Sequence, residues 1–481
     1  KKLNEDELQM FRSRFGIPIP DDELHEAPFY RPHDDSPEIK YMQARRQQLG
    51  GYMPQRKVRA TPLKPIADSF FDEFHKGTEG RDVSTTMVFV RLLAKLLRDP
   101  EIGKLIVPIV PDEARTFGME ALFRQVGIYS SVGQNYEPVD MDTLLYYKEA
   151  KNGQILEEGI TEAGSMCSLI AAGTAYANHG INTIPFFIYY SMFGFQRIGD
   201  LIWAAADLRC RGFLVGGTAG RTTLAGEGLQ HQDGHSHVLA LPVPNLMAYD
   251  PAFAYEIAII IQDGIKRMYV DQESIFYYIT VTNEPLPMPH MPEGANIREG
   301  VLKGLYRFKT SAKTEAKARV QLLGSGTIMY EVLKAQQILE EKYGVAADVW
   351  SVTSYKELYR DANECERWNM LHPGEAAKVP YVTQMLKDAP GPFIAASDYM
   401  KVLPESLSKW VPGELVSLGT DGFGRSESRI ALRDFFEVDA KHIVLATLGA
   451  LAREKKIGLD VVQQSIKDLG INPEKANPAN T

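Results

Sequence analysis

Acid, base and amide side chains crowd into one short stretch, Glu227-Gly-Leu-Gln-His231-Gln-Asp-Gly-His235-Ser-His237. It follows the Gly/Thr-rich run Gly216-Gly-Thr-Ala-Gly-Arg221-Thr-Thr. Ten histidines serve all 481 residues, so three within this one stretch is a concentration. The flanking glycines indicate a loop whose backbone approaches something closely. Two chemistries are open. His-x3-His-x-His can ligate a metal, because neutral imidazole is a common zinc ligand, but the spacing is not that of a helical zinc site. Alternatively the loop handles protons, since histidine titrates near neutrality. His235 and His237 read more simply as groups that hydrogen-bond locally and shape the loop. No metal ligand set is assigned.

Other residues could join this loop. Glu162, in Gly159-Ile160-Thr-Glu162-Ala-Gly-Ser165, opens a helix dense in Ala, Gly and Ser. It is either a first-turn carboxylate that complements the helix dipole or a partly buried acid facing a flat ligand. Asp112-Glu113 is a helix cap or an acidic pair, and Tyr190 and Phe193 are core aromatics or ligand contacts. Gly419-Thr-Asp-Gly-Phe-Gly424-Arg425-Ser426 lacks both standard phosphate-loop patterns and is weak evidence for a phosphate site.

The elements that must position these residues are legible from hydrophobic periodicity. Apolar runs at 105–110, 183–190, 212–215, 245–249 and 274–281 read as strands, with helices at 84–97, 162–176, 198–208 and 253–268 between them. This alternation predicts an α/β protein with a parallel sheet covered on both faces. Ligands of such sheets bind beyond the carboxyl ends of the strands. Asp112-Glu113, Tyr190 with Phe193, and the histidine loop all follow strands, so they are expected at one edge. The charged, Pro-rich stretch 284–317 reads as a boundary. Beyond it the same grammar restarts, with strands at 320–323, 348–352, 392–395 and 415–418 and helices at 328–342 and 440–454. Residues 1 to about 60 read as an irregular linking or wrapping segment with one helix over 36–48.

Composition sets outer limits. A net charge of -9 argues against nucleic-acid binding, and no apolar run reaches the roughly 18 residues of a membrane span. Cys167, Cys210 and Cys365 form no CxxC pair, which fits a reducing cytoplasm. The chain begins Lys-Lys-Leu-Asn without Met, as a fragment or processed product would.

Four segments together resemble a known family: 156–163, Tyr189-Tyr-Ser-Met-Phe-Gly-Phe-Gln-Arg-Ile-Gly-Asp200, 226–237 and Glu366-Arg-Trp-Asn-Met-Leu-His-Pro373. The family is the homodimeric bacterial pyruvate dehydrogenases, the thiamine diphosphate-dependent decarboxylating component of the pyruvate dehydrogenase complex. The resemblance implies a transketolase-like thiamine diphosphate-binding fold. In it, residues 1–61 end a diphosphate-binding domain, 62–291 form a pyrimidine-binding domain, and 292–481 a transketolase C-terminal-like domain. It implies that Glu162 hydrogen-bonds the aminopyrimidine ring, Ile160 is the apolar wedge that keeps the cofactor's two rings bent toward each other, and Phe193 stacks on the pyrimidine. His231, Tyr190 and Glu227 would surround pyruvate and the reacting carbon, and Asp112 and Glu113 would lie near the pyrimidine. It further implies a homodimer and transfer of acetyl groups to the lipoyl domains of a dihydrolipoyl acetyltransferase component. No Gly-Asp-Gly with a following Asn at the family's spacing occurs, so the Mg2+ and diphosphate ligands are expected on an upstream part. The rivals are another thiamine-dependent 2-oxo acid dehydrogenase or transketolase, a metal-dependent hydrolase built on the histidine loop, and a non-catalytic assembly fragment.

Overall fold

The computed structural model describes residues 3–51, 58–111, 114–137, 147–294, 296–313, 315–316 and 318–481. Asp112 and Glu113 lie outside the described residues. The chain divides into two compact units, residues 1–58 and 59–481.

Among its described residues, the first unit carries two α-helices and one short 3-10 turn where the sequence reading expected one helix. Helix α1 (Glu5–Phe15) is closed by a capping box, in which the Asn4 side chain accepts from the Glu7 N–H and the Glu7 carboxylate accepts from the Asn4 N–H. It stops at Gly16, which takes the left-handed conformation. Asn4-x-x-Glu7 was therefore the missed start signal. Helix α2 (Pro37–Gln48) begins on a Ser36 cap with proline in its first turn, as the 36–48 pattern predicts.

Among the described residues, the second unit holds two large sheets and two short two-stranded ones. The first has six parallel strands: β1 (Ile106–Val110), β2 (Leu156–Glu157), β3 (Ile184–Tyr190), β4 (Phe213–Gly217), β5 (Leu246–Tyr249) and β6 (Phe276–Thr280), in spatial order β2-β1-β3-β4-β6-β5. Strands β3, β4, β5 and β6 are buried along their whole length, because helices cover both faces. On one face α3 (Thr85–Leu96) and α6 (Ala254–Ile265) join a large core that includes Phe186, Val215 and Ile279. On the other, α4 (Glu162–Asn178) and α5 (Phe195–Asp207) pack Met166, Leu169, Ile198 and Ile202 against Phe187, Leu214 and Tyr278. Strands β1, β3 and β4 are neighbours running in one direction, so their following loops leave the sheet at the same edge.

The second sheet is ordered β7-β9-β8-β10-β11, from β7 (Tyr306–Lys309), β8 (Arg319–Gly324), β9 (Ala346–Ser351), β10 (Phe393–Ala396) and β11 (Leu415–Leu418). All pairs are parallel except the edge pair β7 with β9. Strand β7 and a short helix, Ile297–Lys303, lie inside the charged stretch 284–317, so that stretch is partly ordered structure. Its polar residues alternate along an edge strand, so no apolar run marks it in the sequence. The helix expected over 328–342 is α-helical to Ile338 and finishes as one wider turn over Leu339–Tyr343. Among the described residues, no helix is long and apolar enough to cross a membrane.

Candidate active site

Glu162 is the first residue of α4, whose cap is Thr161 with its hydroxyl accepting from the Gly164 N–H at 3.1 Å. The small side chains that follow let α4 pack closely, and Glu162 as a whole is 9% exposed. It has a partner that the sequence reading did not single out. The Arg197 guanidinium donates to both oxygens of Glu162 at 3.2 Å. The same guanidinium lies over the Phe193 ring, 3.8 Å from its centroid. Phe193 and Arg197 flank a tight turn that links β3 to α5 through the one-turn helix Ser191–Phe193. Gly194 is required in that turn, because a Cβ there would stand 2.4 Å from the Tyr189 ring.

The histidine loop approaches from the neighbouring strand. His231 sits edge-on to Tyr190 and to Phe193, with ring centroids 5.0 and 5.1 Å away. Its Nδ1 is 3.1 Å from the Glu227 carbonyl oxygen, which can only accept. Nδ1 therefore carries a proton, and in the neutral ring Nε2 is the basic nitrogen. Gly226 and Gly228, at φ +87° and +89°, permit the turn that brings the Glu227 carbonyl back over the ring. Ile160, 74% exposed, stands two residues before Glu162 at the same helix start. Beside Tyr190 a cleft of about 310 Å³ opens, lined by Ala114, Arg115, Thr116, Phe123, Tyr147 and Glu157.

The structure thus joins Glu162, Phe193, His231 and Tyr190 through Arg197 and ring contacts. Glu227 joins through its carbonyl, and Ile160 stands beside them without stacking on the rings. The three histidines do not converge on a common point. His235 Nε2 faces Gln196 Oε1 at 2.8 Å, and His237 Nε2 faces Thr280 Oγ1 at 3.0 Å. Among the described residues, the acidic and histidine groups near enough to share an ion are Asp434, Asp439 and His442, where Lys441 already bridges both carboxylates. The metal reading of the loop loses its geometric basis, and with it the hydrolase.

What the glycine-rich run approaches is a carboxylate of the second sheet. Asp398, just beyond β10, accepts from the Thr222 N–H and hydroxyl, both at 2.8 Å, and from the Thr223 N–H at 3.1 Å and hydroxyl at 2.6 Å. A Cβ on Gly220 would lie 2.3 Å from its Oδ2, so only glycine fits. Burial raises the Asp398 pKa, and the threonine donors partly oppose that. Gly419–Ser426 is likewise explained. Its Thr420 and Gly422 carbonyls accept from Arg221, an arrangement that presents acceptors, the opposite of a phosphate cradle. Beneath the loop, burial pushes His237 down to about 4, Lys356 down to about 7 and Asp250 up to about 7. His237 is therefore neutral at physiological pH, donating to Thr280, whose hydroxyl donates to Asp250 at 2.7 Å.

Residues 63–289 match the family described as the pyruvate dehydrogenase E1 component middle domain, and 304–439 match the transketolase-like C-terminal domain. A pyruvate dehydrogenase E1 component of Pseudomonas aeruginosa is 55% identical over 481 residues, covering 99% of this chain and 54% of that protein. One of Cupriavidus necator is 53% identical over 479 residues, covering 99% and 53%. The chain spans about half the length of the curated relatives it matches. In three dimensions it is similar to a transketolase of Campylobacter jejuni, with TM-score 0.59 and 17% identity over 93% of this chain and 59% of that one. The fold is transketolase-like.

Proposed function

Because the chain belongs to the pyruvate dehydrogenase E1 component family, we propose that it forms the pyrimidine and substrate side of a thiamine diphosphate-dependent pyruvate dehydrogenase. The reaction is oxidative decarboxylation of pyruvate, with the acetyl group passed to a lipoyl group of a dihydrolipoyl acetyltransferase component. One observation carries the reading: Glu162 and Phe193 hold a flat, delocalised nitrogen group between them. The Arg197 guanidinium stacks on Phe193 at 3.8 Å and donates to both oxygens of Glu162. An aminopyrimidine presents the same features, a planar face and ring nitrogens within reach of a carboxyl. The pair fits that cofactor, with the half-exposed Arg197 side chain free to swing aside.

Thiamine diphosphate, when bound, supplies a nucleophilic carbon and a sink for the electrons left by decarboxylation. Glu162 would hold a proton at its carboxyl for a bound ring, and its burial would keep that proton away from bulk water. Phe193 fixes the plane of the ring, and Ile160 supplies an apolar support at the head of α4. His231 presents Nε2 toward the substrate side, because Nδ1 is committed to the Glu227 carbonyl. It moves protons there, while Tyr190 packs one flank of the imidazole and Glu227 holds the other.

The domain assignment follows the same reading: 1–61 closes a diphosphate-binding domain, 62–291 binds the pyrimidine and 292–481 is the C-terminal domain. Mg2+ and the diphosphate bind residues beyond this sequence, which has no Gly-Asp-Gly…Asn pattern. Asp112 and Glu113 stand near the pyrimidine in this proposal, and a homodimer in the cytoplasm brings the two halves of each site together. The test is turnover, by the protein at the full length of its relatives, of pyruvate, 2-oxoglutarate and sugar phosphates with an artificial electron acceptor. Pyruvate-selective, thiamine diphosphate-dependent reduction is expected. Preference for either other substrate class overturns the assignment.

A further inference from the structure

Helix α5 carries Arg197 in its first turn, yet that turn is not continuous with the rest of the helix. Ile198 leaves helical geometry at φ -125° and ψ 23°, so Phe195, Gln196 and Arg197 form a separate turn. A kinked turn is not oriented by the helix ladder alone and needs ties of its own. Phe195 supplies one, by burial against Tyr278. The other is polar. Gln196 Oε1 lies 2.8 Å from His235 Nε2. His235 Nδ1 lies 3.4 Å from Arg221 Nη2.

The hydrogens in this chain can be assigned from chemistry. A guanidinium only donates, so His235 Nδ1 accepts, and Nε2 carries the proton that goes to the Gln196 oxygen. Arg221 itself is 4% exposed and donates through Nη1 to the Thr420 and Gly422 carbonyls, just beyond β11. Its guanidinium carbon sits 2.5 Å from where a Cβ on Gly234 would be, so a larger residue there would displace the guanidinium. The Gly234 carbonyl accepts from the Met400 N–H at 2.8 Å, a second tie to the same edge of the second sheet.

We propose that His235 is a positioning residue. Through Arg221 and Gln196 it fixes the first turn of α5 to the carboxyl edge of the second sheet, and so sets where Arg197 and Phe193 stand relative to Glu162. This rests on the function proposed above. It gives the C-terminal sheet a part in the active site without touching substrate, and it replaces the bland reading of His235 as a loop-shaping residue.

The test uses three variants at the full length of the relatives: His235→Phe, Gln196→Ala and their double mutant, with His235→Gln as the conservative control. Phe keeps the ring volume and removes both hydrogen bonds, whereas Gln can still donate from Nε2. Each single variant is expected to lower pyruvate kcat/KM roughly tenfold at saturating thiamine diphosphate, as a displaced positioning turn does. The double mutant should lose no more than either single one, and His235→Gln should recover most of the activity. Independently of turnover, amide exchange over 194–200 in the cofactor-free protein should quicken in His235→Phe and Gln196→Ala. Single variants within twofold of wild type, losses that multiply in the double mutant, or unchanged exchange would each overturn the relay. A wild-type protein inert toward pyruvate sinks the proposed function instead, and the exchange measurement still decides the relay.

Discussion

Replacing Asp398 by Ala removes one carboxylate that four donors share. The Thr222 and Thr223 hydroxyls can turn elsewhere, and that of Thr223 already meets Thr327 Oγ1 at 2.5 Å. The two backbone N–H groups cannot move, and both residues are buried. Leaving two buried donors without acceptors costs about 1–3 kcal/mol each, so the variant should be destabilised by about 4 kcal/mol. The gain from no longer burying a carboxyl, whose pKa burial raises, works against this and keeps the figure from running higher. Asp398→Asn retains one acceptor oxygen for Thr222 and turns an amide toward Thr223, so about half the loss is expected. Urea unfolding followed by tryptophan fluorescence reads the shift, with an unchanged slope required for the comparison. The same variants should lose pyruvate turnover, because residues 220–223 lead directly into the histidine loop. A destabilisation of less than about 1 kcal/mol for Asp398→Ala would refute the view that this carboxylate anchors the loop.

Two further outcomes follow from the site and its surroundings. His231→Ala should reduce acetyl transfer to lipoyl acceptors by roughly 100-fold while thiamine diphosphate affinity, measured by fluorescence titration, stays within about threefold; equal losses in both would remove His231 from the substrate side. Lys356, whose amine donates to the Ala240 and Val243 carbonyls, has a folded pKa of about 7 against an ordinary 10.5 because burial disfavours its charge. Between those two values the unfolded chain binds a proton that the folded chain does not, so this group makes stability rise with pH over that window. Lys356→Met should flatten the rise between about pH 7 and about pH 10, seen by urea unfolding, and a slope identical to wild type contradicts the assignment.

Much of the architecture was readable because it rests on local periodicity. The apolar strands over 184–190 and 213–217 are buried end to end, and their uniform hydrophobicity announced a two-sided sheet. The same reading placed Tyr190, Phe193 and the histidine loop at one edge, where they meet. What escaped was long-range or non-periodic. The glycines at 216–220 signalled a close approach, yet its target, Asp398, lies some 175 residues away on another sheet. Arg197 lies within residues 189–200, and its spacing of four from Phe193 is the available signal for the stacked pair. The choice between metal and proton chemistry for three clustered histidines could not be made from spacing. It depended on Gln196, Thr280 and the Glu227 carbonyl, each of which takes a different ring. Strand β7 escaped because an edge strand may be polar, and α1 because its capping box precedes a helix with no buried face.

In the proposed chemistry Glu162 exchanges a proton with the cofactor ring. The direct measurement is the rate at which the thiazolium C2 hydrogen of bound thiamine diphosphate exchanges with deuterated solvent, in wild type and in Glu162→Ala at the full length of the relatives. Wild type should exchange at least as fast as it turns over pyruvate, and Glu162→Ala should be slower by roughly 100-fold or more with the cofactor still bound and the fold intact. Equal exchange in the two proteins would contradict that role for Glu162.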